Sequence, residues 1–103
     1  MITLICSIIT KDGCKQKFLD ALLDMVPLVR QEDGCIAYSG YQDISAEYST
    51  QWFRENRITI VEVWRDEAAL RAHWKAPHMS VYREKTRDLV EEKSFSFIEE
   101  AKR

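Results

Sequence analysis

Glycine and proline are scarce in this sequence of 103 residues, which contains three glycines and two prolines. The glycines, at positions 13, 34 and 40, are too scattered to form the glycine-rich loop that binds a nucleotide phosphate. The Gly-x-Ser-x-Gly turn that carries the nucleophile of α/β-hydrolases is also missing. The sequence therefore gives no support to a nucleotide-dependent enzyme or to such a hydrolase.

Cysteine is equally sparse, with Cys6, Cys14 and Cys35 as the only examples. Their number is odd, no C-x-x-C pair is present, and no histidine stands near enough to complete a zinc pattern. We therefore expect a reduced, cytoplasmic protein whose cysteines are structural or incidental. A reactive thiol is the alternative, although nothing in the local sequence indicates an activated cysteine.

No surplus of positive charge and no long apolar run mark the sequence. Lysines and arginines number 15 against 17 aspartates and glutamates, and they are spread along the chain, so nucleic acid is not an expected partner. The apolar start, residues 2–9, lacks a basic lead and is far shorter than the ~20 residues of a membrane span. We interpret it as a β-strand and expect no membrane association.

One compact domain spanning residues 1–103 fits the length and the 46% hydrophobic content. Residues 3–9 are apolar or β-branched nearly throughout, which predicts a central strand covered on both faces. After a turn, apolar residues recur at helical spacing and predict a helix from about Cys14 to about Gln31, with a kink at Pro27. The residues of this stripe are Phe18, Leu22, Met25 and Val29.

Two further strands are predicted, from Cys35 to Gln42 and from Arg57 to Trp64, because these segments alternate or are rich in β-branched residues. The polar connection between them contains an aromatic pair, Trp52 and Phe53. This predicts a long hairpin from Asp43 to Asn56 whose tip packs against another surface, since a free loop would not need the pair.

Two helical segments and a strand are predicted in the last third of the sequence. Asp66 is a suitable N-cap for a short helix over residues 67–74. Pro77 ends that helix, and a second apolar stripe predicts another helix from about His78 to Val90. Alternation from Ser94 to Ile98 predicts a fourth strand, followed by a charged tail.

The order strand, helix, strand, strand, helix pair, strand is the β-α-β-β-α-β pattern of ferredoxin-like α+β domains with an antiparallel sheet. Helices on one side leave the other sheet face to be polar or to be covered by a partner. In the third strand, the even-numbered residues from Ile58 to Trp64 share one face and the odd-numbered ones share the other. Both sets are mostly apolar, so we expect a homodimer in which two sheets face each other in an α/β barrel.

Two stretches of the sequence resemble the antibiotic biosynthesis monooxygenase (ABM) family. The first is Glu32-Asp33-Gly34-Cys35-Ile36-Ala37-Tyr38, an acidic residue and Gly-Cys before a strand that contains tyrosine. The second, from Glu62 to His73, reads E-x-W-x-D-x-x-A-L-x-x-H and is followed by Ala76-Pro77-His78. The spacing and the order of these motifs both resemble the family's pattern, and the similarity extends over nearly the whole chain.

The resemblance implies a dimeric α/β barrel that oxidises quinol-like or polycyclic phenolic molecules with O₂, often with no flavin, haem or metal. We therefore expect no cofactor and a small aromatic substrate. Haem-degrading relatives hold iron with a histidine on the last helix and place a tryptophan on the preceding short helix. These positions correspond to Arg83 and His73 here, so the haem hypothesis lacks its ligand.

His73 and Glu62 are the candidate catalytic residues. His73 lies three residues after Leu70 and so points toward the sheet, where an imidazole that titrates near neutrality suits a general base. A hydrogen-bonded core histidine is the alternative. Glu62 stands in an apolar strand face, where a carboxylate needs partners. It would orient His73 or bind a substrate hydroxyl, or else bridge to Arg57, Arg83 or a partner subunit.

Trp64, Tyr38, Tyr82 and Arg83 are the candidates for substrate binding. The three aromatic residues would form walls for a flat ring, although aromatic residues on a strand or a helix stripe are more often core residues. A buried Trp64 would also need an acceptor for its indole N–H.

A metal site is not expected from the two histidines. His73 and His78 are five residues apart across Pro77, which is not the i, i+4 spacing of a helical metal site. We expect His78, at the start of the last helix, to be a capping or surface residue.

Three functions remain open at this point. The first is a cofactor-independent monooxygenase that deprotonates an electron-rich phenol or quinol in an apolar pocket, so that the anion itself reduces O₂. The others are a non-catalytic dimeric binding or stress-response protein, and an isomerase of a small metabolite in which His73 moves a proton without O₂. Oxygen uptake separates the first from the others, and product formation without uptake separates the isomerase from the binding protein.

Overall fold

The computed structural model describes residues 1–47 and 52–103. In chain order its elements are β1 (Ile2–Thr10), α1 (Lys15–Arg30), β2 (Cys35–Gln42), β3 (Arg57–Trp64), α2 (Glu67–Lys75), α3 (Pro77–Thr86), a 3₁₀ turn (Arg87–Leu89) and β4 (Val90–Ile98). The strands form an antiparallel sheet in the order β2-β3-β1-β4. This is the predicted ferredoxin-like α+β arrangement, with β1 in the interior of the sheet. None of the described helices is long and apolar enough to span a membrane.

Local sequence accounts for most of the element boundaries. The strands β2 and β3 begin and end where predicted, and α1 differs from its prediction by one residue at each end and continues through Pro27. Asp66 caps α2 as expected, because its side chain accepts a hydrogen bond of 2.9 Å from the N–H of Ala69. Pro77 is the first residue of α3, a position where its missing N–H costs no helical hydrogen bond.

The prediction for the C-terminal third was wrong where the last helix gives way to the last strand. Helix α3 ends at Thr86, and after the 3₁₀ turn β4 begins at Val90 rather than at Ser94. The cause is β1, which continues to Thr10 and pairs through its last residues with Val90 and Glu92. This pairing satisfies backbone groups that the predicted helix would otherwise have used, and it outweighs the local helical pattern.

The core lies between the helices and one face of the sheet. On β3 the even-numbered residues are buried, and the odd-numbered ones are only half-buried. All three α-helices pack on the buried face, through Phe18, Leu22, Met25, Val26, Val29, Ala69, Leu70, Met79 and Tyr82. The expectation that β1 is covered on both faces is therefore met on one face only within a single chain.

A β-bulge in β2 decides which face Tyr38 occupies. The two residues that flank Ile36 pair with consecutive residues of β3, so Ile36 is an extra residue in the ladder. After the bulge, Tyr38 pairs with Glu62 and lies on the helix-covered face. Two residues further on, Gly40 lets α1 approach closely, since a Cβ atom there would lie 2.7 Å from Leu22.

The connection from β2 to β3 does not bury its aromatic pair within a single chain. Trp52 is 86% exposed and Phe53 is 43% exposed, so packing of the tip against another surface stays a prediction. Polar contacts at Asp43 hold this segment instead, because its carboxylate accepts from the N–H of Arg54 at 3.1 Å and pairs with Arg57 at 3.3 Å. Residues 48–51 of the predicted hairpin lie outside the described residues.

We expect a second copy of the chain to cover the other face of the sheet. Ile5, Val61 and Val63 lie half-buried on that face, and monomers rarely leave a contiguous apolar surface of this kind bare. Sedimentation equilibrium at micromolar to millimolar concentrations should therefore show a dimer. A monomer that persists throughout this range would contradict the barrel.

A lysine in the centre of this face should break the association. Val61→Lys would bury an ammonium group, so we expect the dimer dissociation constant to rise by about 100-fold or more. Leu23→Lys is the matched control, because Leu23 is an exposed residue of α1. It should leave the dimer unchanged.

Candidate active site

A small cavity lies between the helix-covered face of the sheet and helices α2 and α3, with a volume of about 110 Å³. Most of its wall is apolar. The polar side chains that line it are Tyr38, Glu62, His73, Tyr82, Arg83 and Lys93. The structure thus brings together five of the six site residues chosen from the sequence, in the kind of concave, mostly apolar space that small-molecule sites occupy.

His73 presents one ring nitrogen to a hydrogen-bond partner and the other to the cavity side. Its Nδ1 lies 2.8 Å from Oε2 of Glu32, and its Nε2 lies 3.8 Å from Oε1 of Glu62. A carboxylate only accepts hydrogen bonds, so Nδ1 carries the hydrogen and Nε2 keeps its lone pair. The side chain is 1% exposed, and burial lowers the pKa of His73, with the hydrogen bond to Glu32 acting in the opposite direction.

Trp64 is the sixth candidate, and it lies behind the imidazole rather than in the cavity wall. Its ring centroid is 4.5 Å from that of His73 with the planes tilted by 32°. Tyr38 meets the imidazole edge-on at 5.7 Å. The two aromatic rings therefore hold the imidazole in one orientation.

The sequence did not single out Glu32 as a functional residue. It lies in the turn between α1 and β2, beside Gly34, which has a φ of +84°. A Cβ atom at Gly34 would lie 2.5 Å from that of Ala69, so the turn packs directly against α2. The carbonyl of Gly34 also accepts the N–H of Arg65 at 2.8 Å. These contacts place the Glu32 carboxylate beside His73.

His78 shares the same carboxylate oxygen. Its Nε2 lies 2.8 Å from Oε2 of Glu32 and its side chain is 22% exposed, so its prediction as a capping or surface residue was wrong. Residues five apart on one continuous helix point about 140° away from each other. The break before Pro77 separates α2 from α3 and allows both imidazoles to face Glu32.

The same three side chains form the set that could hold a divalent cation. Their ligand atoms lie within 4.8 Å of one another, and two imidazoles with one carboxylate are ligands that zinc and iron accept. The spacing argument against a histidine pair assumed one continuous helix. In the structure, hydrogen bonds of 2.8 Å join these atoms.

Glu62 is a buried carboxyl group without a cationic partner among the described residues. Its Oε1 accepts the indole N–H of Trp64 at 2.9 Å, which supplies the acceptor that a buried tryptophan needs. Of the predicted cationic partners, Arg57 pairs with Asp43 and Arg83 donates to the carbonyl of Trp74. Burial raises the pKa of Glu62 to about 7, although the hydrogen bond from Trp64 opposes the rise.

The two tyrosine hydroxyls and the Cys6 thiol of the cavity stay protonated. Burial raises the pKa of the Tyr38 and Tyr82 hydroxyls, so they act as hydrogen-bond donors or acceptors and not as bases. Burial also raises the pKa of the Cys6 thiol to about 11. A reactive thiol is therefore not available at this position.

Comparison with known proteins places the chain in a family. The sequence matches the family model described as "Antibiotic biosynthesis monooxygenase" over residues 1–85. The chain belongs to the ABM family. A protein of Escherichia coli (strain K12) named "Probable quinol monooxygenase YgiN" is 34% identical over 101 residues, which cover 96% of this chain and 97% of that protein.

Solved structures share the fold of this ABM chain. PA3566 from Pseudomonas aeruginosa has a TM-score of 0.82 at 24% identity, covering 98% of this chain and 94% of that one. SO0527 from Shewanella oneidensis has a TM-score of 0.77 at 26% identity, covering 94% and 87%. The two ABM-like stretches of the sequence together supply Glu32, Glu62, Trp64, His73 and His78, so the ABM motifs coincide with the polar cluster described above.

Glu62 should make the protein less stable as the pH rises from about 4.5 to 7. Burial raises its pKa from 4.5 to about 7, so in this window the folded state holds a proton that the unfolded state has lost, and the free energy of unfolding falls as the pH rises. The full effect corresponds to roughly 3 kcal/mol. Glu62→Gln removes the titration and keeps an acceptor for Trp64, so its stability relative to the wild type should increase across the window in urea unfolding measurements.

Glu67→Gln is the control for this comparison, because it removes an exposed carboxylate of α2. Its stability difference from the wild type should not change with pH.

The contribution of His73 to the pH dependence of stability has the opposite sign. Because its pKa is lowered in the folded state, the free energy of unfolding falls as the pH falls below the unfolded pKa of about 6.5. The wild type and Glu62→Gln both contain His73, so its contribution cancels to first order in the difference between their stabilities. An equal stability difference for Glu62→Gln at pH 4.5 and at pH 7.5 would show that Glu62 is not shifted.

Proposed function

We propose that this protein is a monooxygenase that oxidises a phenolic or quinol-like small molecule with O₂, with His73 as general base. The observation that carries the proposal is the 2.8 Å hydrogen bond from Nδ1 of His73 to Glu32, which leaves Nε2 unprotonated on the side of the cavity. Membership of the ABM family and similarity to the Escherichia coli protein named "Probable quinol monooxygenase YgiN" support a quinol-type substrate.

The first step is removal of a hydroxyl proton from the substrate by Nε2 of His73. The charge of Glu32 then stabilises the imidazolium that forms, as the carboxylate does in a Ser-His-Asp triad. The substrate anion is electron-rich and reduces O₂ itself, forming a carbon–oxygen bond to a peroxide. The imidazolium of His73 returns its proton to the peroxide, which then loses water together with the hydrogen of the same ring carbon and leaves a carbonyl group on the ring. One atom of O₂ enters the product, the other leaves as water, and the substrate supplies all the electrons.

The other cavity groups orient the substrate and exclude water. Glu62 has a pKa of about 7, so near neutrality its carboxyl group is able to donate or accept a hydrogen bond to a second substrate oxygen. The hydroxyls of Tyr38 and Tyr82 remain donors. The apolar wall keeps bulk water from the anion, which preserves its reducing power.

Glu32 and His78 position His73. The three side chains are joined by two hydrogen bonds of 2.8 Å, and their exposed fractions increase from 1% at His73 to 14% at Glu32 and 22% at His78. Both imidazoles donate to the same carboxylate oxygen, so His78 holds in place the charge that stabilises the imidazolium of His73. Glu32 and His78 act here as positioning residues, since neither lines the cavity.

His73→Ala should lower the rate of oxygen uptake with a quinol substrate by roughly 10²- to 10⁴-fold, because it removes the general base. The dimer and its unfolding midpoint should change much less. Oxygen-electrode rates and urea unfolding are measured on the same preparation. Arg71→Ala is the control, since Arg71 lies on the exposed side of the same helix and should keep the wild-type rate.

Two outcomes would contradict this assignment. An unchanged rate per folded molecule, together with a loss of ~1–3 kcal/mol in stability, would make His73 a hydrogen-bonded core residue. Product formation without oxygen uptake would replace the monooxygenase by an isomerase that uses the same base.

Glu32→Gln should lower the rate by roughly 10²-fold or more, because the amide still accepts hydrogen bonds but no longer stabilises the imidazolium. The Glu32 carboxylate raises the pKa of His73 through the hydrogen bond that it accepts and through its charge, so loss of the charge should move the acid limb of kcat/KM to lower pH. Asp33→Asn neutralises the neighbouring exposed carboxylate and should change neither the rate nor the profile. A slower Glu32→Gln enzyme with an unshifted profile would reduce Glu32 to a structural role.

A further inference from the structure

An outer groove lies next to the cavity on the side of α3 and β4. The groove has a volume of about 510 Å³ and is lined in part by Ser80, Glu84, Thr86 and Arg87. Arg83 from α3 and Lys93 from β4 line both the inner cavity and the groove. These two cations therefore lie at the boundary between the two spaces.

Neither Arg83 nor Lys93 forms an ion pair among the described residues, although Glu62 lines the inner cavity with them and Glu84 lines the groove. Arg83 donates one N–H to the carbonyl of Trp74 at 3.0 Å, which anchors its guanidinium and leaves its other N–H groups available. The neighbouring Arg87 differs, because it pairs with Glu84 at 3.2 Å. Both cations also act on the inner cavity: burial lowers the pKa of His73 and Arg83 adds to this effect, whereas burial raises the pKa of Cys6 and Lys93 opposes the rise.

The size of the inner cavity limits the ring that it accepts. Its volume of about 110 Å³ is below the roughly 150 Å³ of an engineered protein cavity that binds benzene. A single six-membered ring fits if a few side chains shift slightly. Two or three fused rings do not fit beside His73 and Glu62.

We propose that the site takes a single-ring phenol or hydroquinone whose ring carries an oxyanion, a carboxylate or a phosphate ester, held between Arg83 and Lys93. The ring occupies the inner cavity with its hydroxyl at Nε2 of His73, and the oxyanion lies where the cavity meets the groove. This assignment rests on the proposed function for the role of the hydroxyl end. It narrows the substrate class expected from the sequence, because it excludes polycyclic phenols.

The test compares the binding of four small molecules by titration calorimetry, with no turnover required. The wild-type protein should bind 4-hydroxybenzoate at least about tenfold more tightly than 4-hydroxybenzamide, because charge-assisted hydrogen bonds to the oxyanion are lost in the neutral amide. Binding of 6-hydroxy-2-naphthoate, which carries the same groups on two fused rings, should be weaker than that of 4-hydroxybenzoate. 4-Hydroxyphenyl phosphate identifies which oxyanion the site prefers.

Substitutions at Arg83 and Lys93 test whether these two residues cause the preference for the anionic ligand. Arg83→Gln and Lys93→Gln should each reduce the preference for benzoate over benzamide, because each weakens the complex of the anion more than that of the neutral amide. Arg71→Gln, an exposed arginine outside both spaces, is the matched control and should keep the full preference. High salt should weaken the benzoate complex more than the benzamide complex.

Several results would overturn the assignment. These are failure of 4-hydroxybenzoate to bind, equal affinity for acid and amide in the wild type, an undiminished preference in both glutamine variants, or tighter binding of the naphthoate. Failure of the monooxygenase proposal is distinguishable, because it would appear as absence of oxygen uptake while the selectivity for anionic single rings persists.

Discussion

The position of the Glu32 carboxylate is the constraint on which the site depends, because one of its oxygens accepts hydrogen bonds from two imidazoles on different helices. The turn after α1, helix α2 and the start of α3 meet at this oxygen. A partly buried carboxylate is costly unless its hydrogen bonds are made. The same contact therefore fixes the packing of three chain segments and the tautomer of His73.

The two carboxyl groups on either side of His73 differ in their surroundings, and the difference separates their roles. Glu32 has two imidazole partners and reaches toward solvent. Glu62 lies deep in the sheet face, and within the described part of the chain its one hydrogen bond is from the indole N–H of Trp64. The surroundings of Glu32 suit a carboxylate that stabilises the imidazolium of His73 in the proposed reaction. The surroundings of Glu62 suit a carboxyl group that gains or loses a proton according to what occupies the cavity. Sites that contain paired acids commonly divide acid and base functions in this way.

The parts of the structure that depend on short-range patterns were predictable from the sequence. Alternation placed Glu62 on the buried face of β3, and the spacing from Leu70 turned His73 toward it. The Glu32–His78 contact was not predictable in this way, because it depends on where a turn packs against a distant helix and on the direction in which α3 leaves Pro77. The start of β4 was missed for the same reason, since its partner is at the other end of the chain.

The bulge in β2 gives this strand one residue more than its ladder with β3 uses. The neighbours of Ile36 pair with consecutive residues of β3, so removal of Ile36 alone would leave a regular ladder with the same pairs. Tyr38 would still pair with Glu62, and Gly40 would still face Leu22, to which a Cβ atom there would lie 2.7 Å away. A relative that lacks this one residue is therefore able to keep the same cavity wall and the same close approach of α1.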